Sequence, residues 1–252
     1  MAAGNTLLEL RNVDFSFNRE NPVFADLSFR MGIESPVMIL GSSGCGKTSL
    51  LSLIAGLLKP LSGEIVSRFL APGMVFQEPR LLPWKTVAEN VGLPLLRVND
   101  KKAAREKALR YLEFVSLSDK ADASPSELSG GQKQRANLAR AFACPGDLLL
   151  MDEPFQSLDI PLRIELMDLT RTLLDVSARE LNVGSFPALI VTHDPREAVY
   201  MGKRIIVLGS KPQGIILDEA IDLSTEDRAY GSVAQGQYER RILNLMRDSS
   251  IA

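Results

Sequence analysis

Apolar and polar residues follow three rhythms along the chain. Near the N-terminus they alternate: "LLELRNVDFSF" (7–17) and "VFADLSFRM" (23–31) predict two strands, separated by the polar "NREN" and a proline. Elsewhere short apolar runs stand alone. "PVMIL" (36–40), "DLLLMDE" (147–153) and "ALIVTH" (188–193) predict strands buried on both faces. "EIVSRF" and "GMVFQ" add two short β-like stretches after Gly63, and "RIIVLGS" with "GIILDEA" predicts a hairpin. The third rhythm is helical. It covers "TSLLSLIAGLL" (48–58), roughly 162–182, and 101–117, where Ala104, Ala108, Leu112 and Val115 share a face. In the tail, Tyr238, Ile242, Leu245 and Met246 at the same spacing predict a helix packed on the body. Buried strands alternating with helices predict an α/β protein with a mainly parallel core. Residues 80–140 interrupt it as a helical insertion.

Composition narrows the class. The 252 residues are 45% hydrophobic and 24% charged, ordinary for a globular chain. Lys and Arg number 29 against 31 Asp and Glu, a net charge of −2, so no global basic field points to nucleic acid. No apolar run reaches the ~18–20 residues of a membrane span, and the N-terminus lacks a secretion signal. Cys45 and Cys144 have neither metal-ligand nor CxxC spacing. The chain reads as cytosolic and reduced.

Two segments carry chemistry. "GSSGCGKTSLL" (41–51) fits G-x-x-x-x-G-K-[ST] between a predicted strand and helix. Gly41, Gly44 and Gly46 let the backbone turn its N–H groups, with those of Ser42, Ser43, Cys45 and Ser49, around phosphate oxygens at a helix N-terminus. Lys47 supplies a point charge for the β and γ phosphates, and the Thr48 hydroxyl can ligate Mg²⁺. Cys45, inside this loop, is either a thiol-reactive handle or a tolerated small residue. "LLLMDEP" ends a buried strand in two carboxylates. Neighbouring strand residues point to opposite faces. Asp152 is therefore placed to hold Mg²⁺ through water, leaving Glu153 to polarise an attacking water as general base.

"LSGGQKQR" (128–135), together with that loop, "LLLMDEP", "SLD" (157–159) and "THD" (192–194), resembles the ATP-binding subunit of an ABC transporter. The matching motifs span about residues 7 to 216, in the family's order. The resemblance implies a P-loop NTPase core with a mainly parallel sheet, an N-terminal antiparallel β subdomain and a helical insertion. It implies one nucleotide-binding domain over 5–222, with a helical subdomain at about 80–140, and a C-terminal helical tail over 223–252. It also implies roles. Phe17 would stack on adenine, although alternation puts it on one face with Phe15 and Val13, where a core role is the alternative. Gln77 would touch Mg²⁺ and the attacking water. Ser129, Gly130, Gly131 and Gln132 would present the signature loop to a γ phosphate, and Asp159 would sit at a dimer contact. His193, the single histidine, would hold the γ phosphate and the attacking water in line.

In the family, the signature loop lies far from the phosphate loop of its own chain. The resemblance therefore implies a homodimer with two composite ATP sites. The resemblance also implies integral membrane permease subunits, an extracytoplasmic solute-binding protein met indirectly, no nucleic acid, and a peripheral place on the cytoplasmic face of the membrane. Among subclasses, "FQEPRLLPWKTVAENV" (76–91) and "GSKPQGII" (209–216) look like importer ATPases for sulfonates, nitrate and taurine. The short segment between Gly63 and Gln77 leaves room for importers of vitamin precursors. Gln156 stands where the family frequently has glycine. Leu81, Leu82 and Trp84 form either a groove for a short helix of the permease or the core of the insertion. The chain ends too soon for the extra regulatory domain of some relatives. The competing class is a soluble ABC-type ATPase that remodels a protein or nucleic-acid complex. Such proteins often fuse two halves or carry long insertions. A third is an ATP-binding module without turnover, against which Glu153 and His193 argue.

Overall fold

The structure is a computed structural model that describes residues 6–18, 21–33 and 36–248. Residues 1–5 and 249–252, at the ends of the expected domain and tail, lie outside the described residues, as do residues 19–20 of the "NREN" turn. In chain order the elements are β1 (Leu8–Ser16), β2 (Pro22–Met31), β3 (Val37–Leu40), α1 (Lys47–Ile54), β4 (Ser62–Ser67), β5 (Pro72–Val75), α2 (Val87–Gly92), α3 (Lys101–Phe114), α4 (Gly130–Phe142), β6 (Leu148–Asp152), α5 (Ile160–Glu180), β7 (Ala188–Thr192), α6 (Pro195–Met201), β8 (Arg204–Leu208), β9 (Ile215–Ala220) and α7 (Val233–Asp248). They fall into two compact units, one of residues 1–69 with 187–252, the other of residues 70–186.

In the first unit, β1 lies between β2 and β4 in an antiparallel sheet. Val13, Phe15, Leu27 and Phe29 are buried at alternate positions, as predicted, whereas Val23 and Phe24 are buried side by side, just before Asp26 (φ 58°) interrupts the alternation. β3 runs parallel to β7 on one side and to β8 on the other, and β9 returns antiparallel to β8. Every residue of β3, β7 and β8 is buried, which is why those segments carry no alternation. α7 packs on α6 through the buried Ile242, and the ion pairs Arg196–Glu239 (2.8 Å) and Arg241–Glu219 (2.7 Å) fasten it. The tail is helical over Val233–Asp248.

In the second unit, β5 and β6 pair in parallel with Val75 opposite Met151. Helices α2 to α5 accompany them, and the predicted face of α3 is buried at Ala104, Ala108 and Leu112, with Val115 just beyond. The chain is thus α/β with an antiparallel sheet and a mainly parallel strand set. Among the described residues no helix is long and apolar enough to cross a membrane.

Three helices stop short of their apolar patterns for one reason. α1, expected to residue 58, ends at Ile54 because Gly56 turns left-handed (φ 72°); Leu57 N then donates to Ser52 O and Gly56 N to Leu53 O. That paired cap satisfies carbonyls the helix would leave open. Ser116 (φ 55°) closes α3, and Asn182 (φ 54°) closes α5, with the same two bonds.

Candidate functional site

The Gly-rich loop leaves β3 and enters α1. Gly44 (φ 80°) and Gly46 (φ 116°) hold left-handed angles that an L side chain rarely adopts. A Cβ on Gly46 would also lie 2.7 Å from Val23 and 2.8 Å from Phe24, so the antiparallel sheet backs the loop. A Cβ on Gly44 would meet nothing within 4 Å, so that face of the loop opens outward. Ser43, Gly44 and Thr48 are exposed on it, and Ser42 and Ser49 are half-buried. No acid stands in the first turn of α1. Its N-terminal N–H groups and partial positive charge can therefore receive a polyanion. Lys47 is 5% exposed, and its ammonium donates to Gly41 O (2.9 Å) and Ser42 O (3.1 Å). Cys45 is buried, and burial pushes its thiol up. Its sulfur lies 2.4 Å from where a Gly41 Cβ would be, so it fills the loop's interior and is not a reactive handle.

β7 brings His193 alongside this loop. Thr192 pairs with Leu40, so the next residue of each strand, His193 and Gly41, leaves the same sheet end. His193 is exposed. Beneath it, the buried Thr192 hydroxyl donates to Glu197 (2.6 Å) and accepts from Asp194 N (3.1 Å), while Asp194 caps α6 through Arg196 N. Thr192 thus anchors the turn that presents the histidine. Phe17 lies just past β1, 71% exposed, edge-on to the buried Phe15 at 5.0 Å. The strand ends at Ser16, so alternation does not reach Phe17 and its ring is a surface platform rather than core.

The second unit gathers the acids and amides. Val75 opposite Met151 puts Gln77 near the level of Asp152 and Glu153. Both carboxylates are half-buried. β6 stops at Asp152, and Glu153 turns left-handed (φ 44°), so the turn rather than strand alternation aims the two apart. The turn closes through Gln156 N to Glu153 O (3.2 Å), and the exposed Gln77 donates from Nε2 to Gln156 Oε1.

Ser129 caps α4, accepting from Gln132 N (3.3 Å), while Gln132 Oε1 accepts from Ser129 N (2.9 Å). Gly130 has open space at its Cβ position, and Gly131 lies 3.0 Å from Leu162, whose N–H Asp159 caps at 2.9 Å. The signature segment and Asp159 are therefore neighbours, at the starts of α4 and α5.

Sequence reasoning missed a polar ladder on α4. Gln134 donates to Pro154 O, Asn137 to Phe76 O (2.9 Å), and Arg140 to Pro79 O (2.6 Å) and Arg80 O (2.9 Å). Gln134 and Asn137 are buried, and burial pushes the Arg140 guanidinium down. The helix that starts at the signature thereby holds both loops flanking Gln77 and Glu153. Its one sequence signal is the spacing of three polar residues three apart on a helix.

A strand–Gly-loop–helix unit and a carboxylate-ended parallel strand define a P-loop nucleoside triphosphatase. Sequence comparison makes this specific: the ABC transporter family profile matches residues 24–156. The aliphatic sulfonates import ATP-binding protein SsuB 1 of Agrobacterium fabrum is 37% identical over 247 residues, 96% of this chain and 84% of that protein. Its namesake from Burkholderia cenocepacia is 44% identical over 213 residues, 82% of this chain and 62% of that longer protein. A dimeric bacterial ABC transporter cassette superposes with a TM-score of 0.73 at 28% identity, covering 86% of this chain and 100% of its own. A dimeric cassette in a post-hydrolysis state with ADP and Pi matches equally. The chain belongs to the ABC transporter family, as one of its ATPase subunits.

Proposed function

We propose that the chain binds and hydrolyses ATP to drive an importer of a small anion, of the aliphatic sulfonate type. The observation that carries this reading is the Agrobacterium sulfonate-import relative, which aligns over 96% of the chain. The Gly44–Gly46 turn opening onto α1 supports the nucleotide part of it.

The chemistry follows from the residues. Backbone N–H groups of residues 41–49 bind the phosphates, and Lys47 exchanges its carbonyl partners for phosphate oxygens. Phe17 stacks on the base. Thr48, Gln77 and Asp152 would hold Mg²⁺, because they offer the hard oxygen donors that it prefers. Bound there, Mg²⁺ would supply positive charge against the phosphates. Glu153 takes the proton of the attacking water, and His193 holds water and γ phosphate in line. Ser129, Gly130, Gly131 and Gln132 of one copy present a capped helix start to the nucleotide of a second copy, with Asp159 at the contact.

The permease docks beside Trp84. That side chain is 76% exposed, and a concavity of about 410 Å³ begins at Lys85 and runs past Ala88, Gly92 and Leu96. This favours a groove for an amphipathic helix over a buried core. The chain then sits peripherally on the cytoplasmic face, with an extracytoplasmic solute-binding protein reached through the permease.

Deleting the gene and measuring uptake of a labelled alkanesulfonate tests the reading. Uptake should be lost and return with the wild-type gene but not with Glu153→Gln. Unchanged alkanesulfonate uptake, with loss of nitrate or vitamin-precursor uptake, would move the solute. Unchanged uptake of all three would favour a remodelling ATPase instead.

A further inference from the structure

Gln77 is held at two points. The carbonyl of Phe76 before it accepts from the buried Asn137, and its own carboxamide donates from Nε2 to Gln156 Oε1. The backbone of Gln156 is fixed in turn, because its N–H closes the Glu153 turn at 3.2 Å. A carboxamide carries its donor and its acceptor in one plane, on opposite sides of the bond that joins it to the chain. Donation to Gln156 therefore turns the Oε1 of Gln77 away from Gln156. Only the oxygen can ligate a hard divalent cation; the NH₂ group has no lone pair to offer one. Glycine, frequent at position 156 in the family, could make no such choice.

We infer that Gln156 is a positioning residue that selects the orientation of the Gln77 carboxamide and presents its oxygen, rather than its nitrogen, to Mg²⁺. The inference rests on the reading of Gln77 as a Mg²⁺ contact. What position 156 must offer is an acceptor. Glutamate keeps one at the same reach, whereas methionine keeps the length and offers only a weakly accepting sulfur.

The test measures binding, with turnover absent. The full chain is titrated with the non-hydrolysable analogue AMP-PNP, in Mg²⁺ and in EDTA, and the ratio of the two Kd values gives the gain from Mg²⁺. Circular dichroism confirms that each variant is folded. In Gln156→Met the gain should fall by about two- to tenfold, the worth of one hydrogen bond, with the EDTA affinity unchanged. Gln156→Glu should stay within about twofold of wild type. Gln77→Ala should cut the gain at least as far, with Thr48, Asp152 and the phosphates holding what remains, and adding Gln156→Met to it should change nothing further. Were Gln77→Ala to cut the gain while Gln156→Met kept it, the positioning role would be overturned and the Gln77 contact would stand. A normal gain in Gln77→Ala would overturn the contact itself, and the inference with it. A loss in Gln156→Glu as large as in Gln156→Met would also overturn the choice of orientation.

Discussion

Glu153 leaves its strand with φ at 44°, where an L residue sits at a cost of roughly 1–2 kcal/mol. Glycine there would relieve the strain, yet the chain keeps a carboxylate. Backbone strain of this kind clusters where a side chain must be aimed, which fits the general-base role. His193 reaches its position differently, through the Thr192–Glu197 bond beneath it and the Asp194 cap after it. The two residues should fail in different ways. His193→Ala should lower phosphate release to near background while nucleotide titrations stay close to wild type. Near-normal release would remove it from the mechanism. Glu153→Gln should bind ATP and keep it, so that gel filtration with Mg²⁺ and ATP shows a persistent dimer carrying unhydrolysed nucleotide. Rapid decay of that dimer to ADP and monomer would assign the base elsewhere.

Among the elements, α4 does two jobs. Its first turn carries the signature residues, and its buried ladder grips the loops that bear Gln77 and Glu153. Asn137→Leu should strip the Phe76 carbonyl and the Arg140 guanidinium (3.0 Å from Asn137 Oδ1) of a partner at a fully buried site. Urea unfolding should report a loss of about 1–3 kcal/mol. An unchanged midpoint would mean that the loops hold themselves. The strands, the phosphate loop and the carboxylate pair were legible in the sequence, because periodicity and local spacing encode them. The helix ends were less so: the apolar pattern of α1 runs past Gly56 to residue 58, and Ser116 and Asn182 adopt the same left-handed cap without glycine. The ladder was illegible for a related reason. Its partners are backbone carbonyls far away in the chain, 20 residues off at Pro154 and about sixty off at Phe76, Pro79 and Arg80. A carbonyl looks the same at every position in a sequence. A core role stayed open for Phe17 because alternation was carried past the strand's last residue, Ser16.

At the scale of the whole molecule, one chain carries one phosphate loop and one signature segment. If two copies complete each site, the specific ATPase rate should climb with protein concentration and level off as dimers saturate. A rate independent of concentration, in a protein that sediments as a monomer, would refute the composite site. The coupling surface makes a separate prediction. Trp84→Ala should abolish transport by the reconstituted complex and spare the basal ATPase of the isolated subunit. Full transport in that variant would place the permease contact elsewhere.

Trp84 is the only tryptophan among 252 residues, and solvent reaches most of its indole. Every photon of tryptophan emission from the isolated subunit thus comes from one surface position, unmixed with any buried ring. Covering that ring with an apolar helix would shift its emission to shorter wavelength and shield it from a dissolved quencher such as iodide. The native chain therefore carries its own unlabelled optical gauge of that surface, readable in a cuvette as a membrane partner is added.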